Sequence, residues 1–418
     1  MTTTKTTTNK YDVIVIGGGP AGMMTAGTAG ARGKRVLLIE KNNQLGAKLR
    51  ITGGGRCNIT NHEPHLQTLL KHYGQAEKFL YSAFAIFGVE DTFAFFTTRN
   101  LPLVVQAGNR VFPQTEKAAD VERVMEEYCS TNHVTILTNA PVAKIIAENR
   151  QITGIIAKGV TYTADSIVLA TGGVSHRETG STGDGFGWLR DLGHTVAAPT
   201  PSIVPIAVKD AWVRSLAGVT LAAMKVSFFV GDKKQFSKKG SLLFTHFGLS
   251  GPLILNSAKK ISDLMHQGTV TGAIDIYPDK DFHILEQEIL ALFDANKNKS
   301  FKNLCKYFVP PGMAGAVLSL LDSSLQDKKV HSVTKDERKK IIHLLKALPF
   351  TVQGLMGYDR AVIADGGVLI TEVDMKTMRS KKYSNLYITG DLLHVDRPSG
   401  GFSLQLCWTT GYVAGQNA

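Results

Sequence analysis

Residues 11–41, YDVIVIGGGPAGMMTAGTAGARGKRVLLIEK, constrain the fold more than any other stretch. Val13–Ile16 is a short apolar run suited to a buried parallel strand. Gly17, Gly19 and Gly22 follow as G-x-G-x-x-G, with Pro20 where a first helical turn tolerates a missing N–H. The helix after Pro20 is crowded with small residues, although each glycine costs about 1 kcal/mol relative to alanine. That composition suits a helix lying very close to a sheet and a ligand. A second strand, Arg35–Ile39, ends in the acid Glu40. In this order the motif predicts a dinucleotide site. Gly17 permits the tight turn, Gly19 lets backbone approach a pyrophosphate, and Gly22 lets helix and strand pack. Ala21 opens the helix whose free N–H groups face the phosphates. Glu40 accepts hydrogen bonds from ribose hydroxyls, with Lys41 beside it.

The chain closes on residues 385–415, NLYITGDLLHVDRPSGGFSLQLCWTTGYVAG. A strand, Leu386–Thr389, runs into Gly390 and Asp391, where a carboxylate suits the ribityl chain of a flavin. Gly400, Gly401 and Phe402 open another small-residue helix. Its N–H groups suit the pyrimidine side of a flavin, where negative charge accumulates on reduction. The two chain ends therefore bracket a flavin adenine dinucleotide (FAD) site. Between them lies GAKLRITGGGRCNITN, residues 46–61, whose glycines around Gly54 fit a loop in close approach to a ligand. Lys48 and Arg56 add positive charge near the phosphates or the reduced flavin. Val142, after Pro141, is a candidate for backbone contact with adenine. Thr171 and Gly172, at the end of the apolar strand Ser166–Thr171, complete the expected cofactor set.

With 418 residues, the chain is expected to hold two or three packed units. Residues 76–97 and 116–131 have helical apolar spacing, with a hairpin region around Leu103–Phe112. Thr135–Leu137 and Ile145–Ile156 suit strands, the latter a hairpin turning at Asn149-Arg150. Composition changes near Pro199, Pro201 and Pro205. The runs Lys225–Val230, Ser241–Phe244 and Gly272–Tyr277 then suggest an antiparallel, barrel-like unit. Residues 282–346 look mainly helical, and short strands at Ala361–Ala364 and Val368–Thr371 lead back to the closing motif. The expected class is α/β: a three-layer, Rossmann-type FAD-binding domain with a parallel sheet, residues 11–193 and 349–418. A β-barrel-like insert (194–281) and a helical insert (282–348) interrupt it, and residues 1–10 form a disordered start.

Four scattered cysteines without a CxxC pair argue against a disulfide framework, a zinc site or a disulfide reductase. No signal-peptide pattern or uncharged apolar span points to a membrane, so a cytoplasmic protein is expected. The net charge is +12, and residues 194–348 alone carry 21 Lys/Arg against 13 Asp/Glu. Such a surface is either simply solvated or a grip for a polyanion. The pairs Lys233-Lys234 and Lys238-Lys239 are placed on an expected hairpin loop of this segment.

Four motifs together resemble one bacterial flavoprotein family, the aminoacetone oxidase-like, BaiN-like FAD-binding proteins. They are GGGRCNITN, LLFTHFGLSGPLIL (242–255), ATGGVS (170–175) with GSTGDGF (180–186), and GDLLHVD…GG…TTGYVAG. The resemblance runs from Tyr11 over nearly the whole chain and implies a glutathione-reductase-like FAD domain with an insert. Where that family commonly has Gly-Glu and a DVDG stretch, this chain has Gly390-Asp391 and His394-Val395-Asp396-Arg397.

The resemblance allows reduction of a conjugated double bond in a steroid-like acid, amine oxidation, or reduction of a uridine in 23S ribosomal RNA to dihydrouridine. The basic insert favours the last; a non-enzymatic, FAD-containing RNA-binding protein is the third class. No second G-x-G-x-x-G follows a strand in residues 60–350, so NAD(P)H is expected to bind only transiently, as electron donor. Cys57, a thiol in an electropositive loop, and His246, in the Phe-Thr-His-Phe-Gly stretch, are the candidate proton donors. No metal site is expected.

Overall fold

The computed structural model describes residues 9–357, 360 and 363–418. Two compact units divide the chain, one from residues up to Thr200 together with Val362–Ala418, the other Pro201–Ala361.

The first unit is built on a nine-stranded mixed sheet. Its parallel centre runs Leu386–Ile388, Val160–Leu169, Asn9–Ile16, Val36–Ile39 and Thr135–Leu137, in that spatial order. The central strands are buried along both faces, which explains their unbroken apolar runs. Antiparallel additions extend the sheet, among them the hairpin Val142–Glu148 and Gln151–Ala157, which turns at Asn149-Arg150. The sheet is thus mixed, where a parallel one was expected. Asn9 and Lys10 already pair with Tyr162 and Thr163, so the ordered chain starts before Tyr11.

Residues 76–97 form two helices, Glu77–Ile86 and Val89–Thr97. Asp91 reaches back to the Gly88 N–H at 2.8 Å and starts the second helix afresh. By composition Gly74–Thr97 is apolar enough to cross a membrane. Each half, however, is shorter than the roughly 20 residues a span needs, and Leu80, Phe84 and Phe96 are core residues.

The second unit contains a closed six-stranded barrel, whose strands follow the order Ile206–Val208, Gly248–Ser250, Lys233–Thr245, Thr220–Val230, Val270–Asp275 and Leu348–Leu355. Leu348–Leu355 pairs with both its neighbours and closes the barrel. The insert therefore runs past residue 348, and 349–355 do not belong to the FAD domain as expected. Residues 282–346 form five α-helices and one 3-10 turn, and Phe293, Phe301 and Ile341 share one core with barrel residues Phe228 and Ile274. Barrel and helices are one unit, not two inserts. Two local expectations also change. Lys233, Lys234, Lys238 and Lys239 sit within the strand Lys233–Thr245, paired to Thr220–Val230, and the loop is only Gly231-Asp232. The expected strand Val368–Thr371 is instead the end of Ile363–Val368 followed by a 3-10 turn, and residues 361 and 362 lie outside the described set.

A buried polar cluster assigns His194 to the first unit rather than to the insert. His194 Nδ1 lies 2.8 Å from Glu372 Oε2, and Nε2 lies 2.9 Å from Ser380 Oγ. Ser380 Oγ accepts the backbone N–H groups of Lys382 and Tyr383, so its own proton points at Nε2. His194 is therefore the neutral Nδ1–H tautomer, donating to the carboxylate. Burial pulls its pKa below the ordinary 6.5, outweighing Glu372. Burial pushes Glu372 up, but hydrogen bonds from Thr195, His194 and Lys382 hold it at about 2. Both depressed values act with one sign. Below pH 6.5 the unfolded chain gains the His194 proton that the fold refuses. Below 4.5 the unfolded carboxyl protonates first, and Glu372's contribution is lost as pH falls toward 2. Thermal melts from pH 7 to 4 should show falling stability, and His194→Gln should flatten the slope between pH 6.5 and 4.5.

Candidate active site

The site of the first unit lies at the carboxyl ends of the central strands, where open α/β sheets bind ligands. Gly17 turns the chain there at φ 109°, and a Cβ on it would sit 2.5 Å from the Ala170 carbonyl oxygen. A Cβ on Gly22 would sit 1.8 Å from the Gly17 oxygen, so Gly22 serves the close packing of helix on turn. Gly19 is the reverse case: a Cβ there meets nothing within 4 Å. The helix Pro20–Ala31 starts at Gly19 with no side-chain cap and no acid in its first turn. Its N–H groups and positive dipole end are left for an anion.

Twelve of the expected residues line one cleft: Gly17, Gly19, Pro20, Ala21, Glu40, Lys41, Lys48, Val142, Thr171, Gly172, Gly390 and Asp391. Glu40 is nearly buried; its Oε2 accepts the Gly18 N–H at 2.7 Å and its Oε1 the Asn42 N–H at 2.8 Å. Each oxygen keeps a lone pair for a ribose hydroxyl. Lys41 is held by Asp184 at 2.8 Å and by Thr182. Burial pushes Asp184 up, yet Lys41 and Thr182 keep it below the ordinary carboxylate value. Thr171 Oγ1 is buried without a hydrogen-bond partner among the described residues.

At the other end Asp391 pairs with the Arg397 guanidinium and lies 3.6 Å from Lys48 Nζ. Burial pushes its pKa up, but Arg397 and then Lys48 outweigh it and hold the carboxyl below its usual range. Cys407 lines the cleft here; burial, helped by the Asp391 charge, pushes its thiol up to about 12. Sequence reasoning missed Arg397 and Cys407. Arg397 stood out only as a departure from the family motif, and Cys407 only as a scattered cysteine.

Seven expected cofactor residues do not line this cleft: Gly22, which packs the helix on the turn, and six others. Arg56 stands over the Phe112 ring at 4.5 Å and bonds Gln106 and Glu116, which turns its charge toward the hairpin Leu103–Gln106 and Arg110–Pro113. Gly54 is exposed. Cys57 is buried at φ 61°, and burial pushes its thiol up to about 12 against a hydrogen bond from Thr52. The expected electropositive, tuned thiol is absent. Gly401 packs on the Thr60 carbonyl, Gly400 lies near Phe402 and Asn61, and the Phe402 carbonyl accepts the Tyr73 hydroxyl at 2.9 Å. His246 belongs to the second unit, exposed on the turn between Lys233–Thr245 and Gly248–Ser250.

The family described as HI0933-like protein Rossmann domain matches residues 11–417. The chain belongs to this family. Its members and this chain are FAD-dependent oxidoreductases. This HI0933-like chain is 28% identical over 412 residues to the 3-dehydro-bile acid delta(4,6)-reductase of Clostridium scindens, covering 97% of this chain and 98% of that one. It is 27% identical to the ribosomal RNA dihydrouridine synthase of Escherichia coli, covering 98% of each. Among solved structures it shares its fold with 3-ketosteroid-delta4-(5alpha)-dehydrogenase from Rhodococcus jostii RHA1, at TM-score 0.56 and 14% identity, covering 99% of this chain and 98% of that chain.

The residues fit FAD: an uncapped helix start beside an open Cβ position, a fixed carboxylate at each end, and an unpartnered Thr171 hydroxyl. FAD, when bound, supplies hydride transfer. The chain's own groups would bind and orient it: the helix start would take the pyrophosphate, Glu40 the adenosine ribose and Asp391 the ribityl chain. Heat release followed by chromatography should yield FAD and no FMN. Gly19→Val should reduce FAD occupancy more than Glu40→Ala, because its side chain enters the open space. Cys57→Ala should keep both FAD and turnover, since the thiol is buried away from the cleft; a loss of 10²-fold or more, as expected on removing a general acid, would return it to the chemistry.

Proposed function

We propose that this HI0933-like protein takes electrons from a reduced nicotinamide nucleotide and saturates a conjugated carbon–carbon double bond. Its leading substrate is a uridine of 23S ribosomal RNA, and its location is the cytoplasm. Relatives matched along nearly their whole length support the reaction class, since a delta(4,6)-reductase and a dihydrouridine synthase both saturate a double bond conjugated with a carbonyl. In uridine, hydride adds at C6, conjugated with the C4 carbonyl, and a proton adds at C5.

The observation that carries RNA over a small substrate is the basic ladder of the barrel. Lys225 pairs in register with Lys239, Phe229 with Lys234 and Val230 with Lys233. Lys233 and Lys234 are exposed, and Lys260 stands 4.5 Å over the Phe236 ring nearby. Lys238 is pulled down by burial and by neighbouring Lys260, a pair that an anion would relieve. Exposed lysines in successive registers of this strand pair, with an aromatic ring beside Lys260, suit a nucleic-acid backbone. The second reading, a small-molecule reductase, is favoured by the bonds that already occupy two of the lysines: Lys239 to Asp279 at 2.5 Å and Lys238 to the Asn256 carbonyl at 2.7 Å.

Incubation with NADH or NADPH and 23S RNA, followed by nucleoside mass spectrometry, tests the substrate; dihydrouridine should appear. Replacing Lys233 and Lys234 by alanine should weaken RNA binding in a filter assay. The log–log salt dependence should flatten by roughly 0.7 for each lost single-strand phosphate contact. Unchanged slopes, with no dihydrouridine formed, would leave the small-molecule reading.

A further inference from the structure

Arg397 is buried, at 4% exposure, and spends its guanidinium on three separate segments. Nη1 donates to the Val395 carbonyl at 2.6 Å, Nε to Ser403 Oγ at 3.0 Å, and Nη2 to Asp391 Oδ1. Asp391 sits in the turn Gly390–Leu392 after the strand Leu386–Ile388, and Ser403 sits in the first turn of the helix Phe402–Asn417. One side chain therefore ties a strand-end turn that lines the cleft to a loop and to the start of the closing helix. A lysine, with a compact ammonium in place of the planar fork, cannot make the same three bonds in the same directions.

The charges in direct contact with Asp391 do not cancel, and the exposed Glu178 acts on Lys48 only weakly, from farther out. Lys48 Nζ donates to Ser175 Oγ at 2.6 Å and faces Asp391 Oδ2. Two cations thus face one carboxylate. The 16-residue helix Phe402–Asn417 starts at Gly401 without a side-chain cap and without an acid in its first turn, adding the positive end of its dipole. Buried cations in excess are costly unless an anion completes them.

We infer that Arg397 is a positioning residue for the cofactor, fixing the Asp391 carboxylate toward the cleft and, with Lys48, leaving that end of the cleft one positive charge in excess. The inference rests on FAD binding alone and not on the choice of substrate. Its two parts have separate consequences. The fork orients Asp391, so losing it weakens FAD binding. The excess charge favours the reduced, more negative flavin over the oxidised one, so losing it lowers the midpoint potential of the bound cofactor.

The test uses the FAD-loaded protein with Arg397→Lys, Arg397→Met and Lys48→Met, and needs no substrate. FAD dissociation is followed by flavin fluorescence, and midpoint potential by equilibration with a redox dye. Arg397→Met should bind FAD at least tenfold more weakly and show a lower potential. Arg397→Lys should share much of the affinity loss but keep the wild-type potential. Lys48→Met, which leaves the Arg397 bonds in place, should lower the potential and keeps the charge argument testable if Arg397→Met does not fold. A potential unchanged in both methionine variants would overturn the charge argument. Wild-type FAD affinity in Arg397→Lys and Arg397→Met would overturn the positioning argument. Neither outcome bears on whether RNA or a small molecule is reduced.

Discussion

The contact on which the FAD domain depends is the packing of the helix Pro20–Ala31 against the helix Phe402–Asn417. A Cβ on Gly411 would lie 2.5 Å from the Ala21 carbonyl oxygen, so the two backbones nearly touch. Thr25 Oγ1 donates to the Gly411 carbonyl at 3.0 Å, and Arg32 Nη1 to the carbonyls of Gly415 and Ala418. These bonds join residues more than 380 positions apart, yet loop-closure entropy rises only with the logarithm of loop length. A long insertion is therefore compatible with a cofactor site made from both chain ends. The closing helix also organises what lies beneath it. Gln405 accepts hydrogen bonds from Thr60 and Thr92, and Trp408 Nε1 donates to the Ile59 carbonyl at 3.0 Å.

Legibility of the site in the sequence followed how local each feature was. Gly17, Gly19 and Glu40 were readable because strand, turn, helix and strand-end acid follow within thirty residues and each has one geometric job. Asp391 was readable for the same reason. Arg56 and Cys57 were not, because the exit path of the triple-glycine loop is decided elsewhere. Phe112, on a hairpin some fifty residues later, captures the Arg56 guanidinium, and Cys57 turns inward at positive φ. Gly231-Asp232 is itself a two-residue hairpin signal, and it would have placed the four lysines on a strand. The polar run after it hid the alternation. The last barrel strand was unreadable because Leu348–Leu355 earns its place only by closing on Ile206–Val208 across the whole insert. Arg397 was visible as an unusual residue, but its three bonds meet only once the closing helix is docked.

The two ends of the cleft hold their carboxylates by different means, and the difference gives the site a direction. Glu40 is fixed by neutral donors, the N–H groups of Gly18 and Asn42, while the nearest cation, Lys41, is engaged by Asp184. Counting Glu40, Lys41 and Asp184 together, that end carries one formal negative charge, set against the partial positive charge of the helix start. Asp391 is fixed by formal cations, and with Arg397 and Lys48 its end carries one formal positive charge. The buried Arg397–Asp391 pair feels such a gradient more strongly than the exposed Lys41–Asp184 pair does. A neutral sugar that donates hydrogen bonds suits the Glu40 end, and a group that gains electrons suits the Asp391 end. Both acceptors are held in place before any ligand arrives, so little reorganisation is left for the moment charge develops. An elongated cofactor with an adenosine at one end and an electron-accepting ring at the other would thereby be oriented by charge as well as by shape.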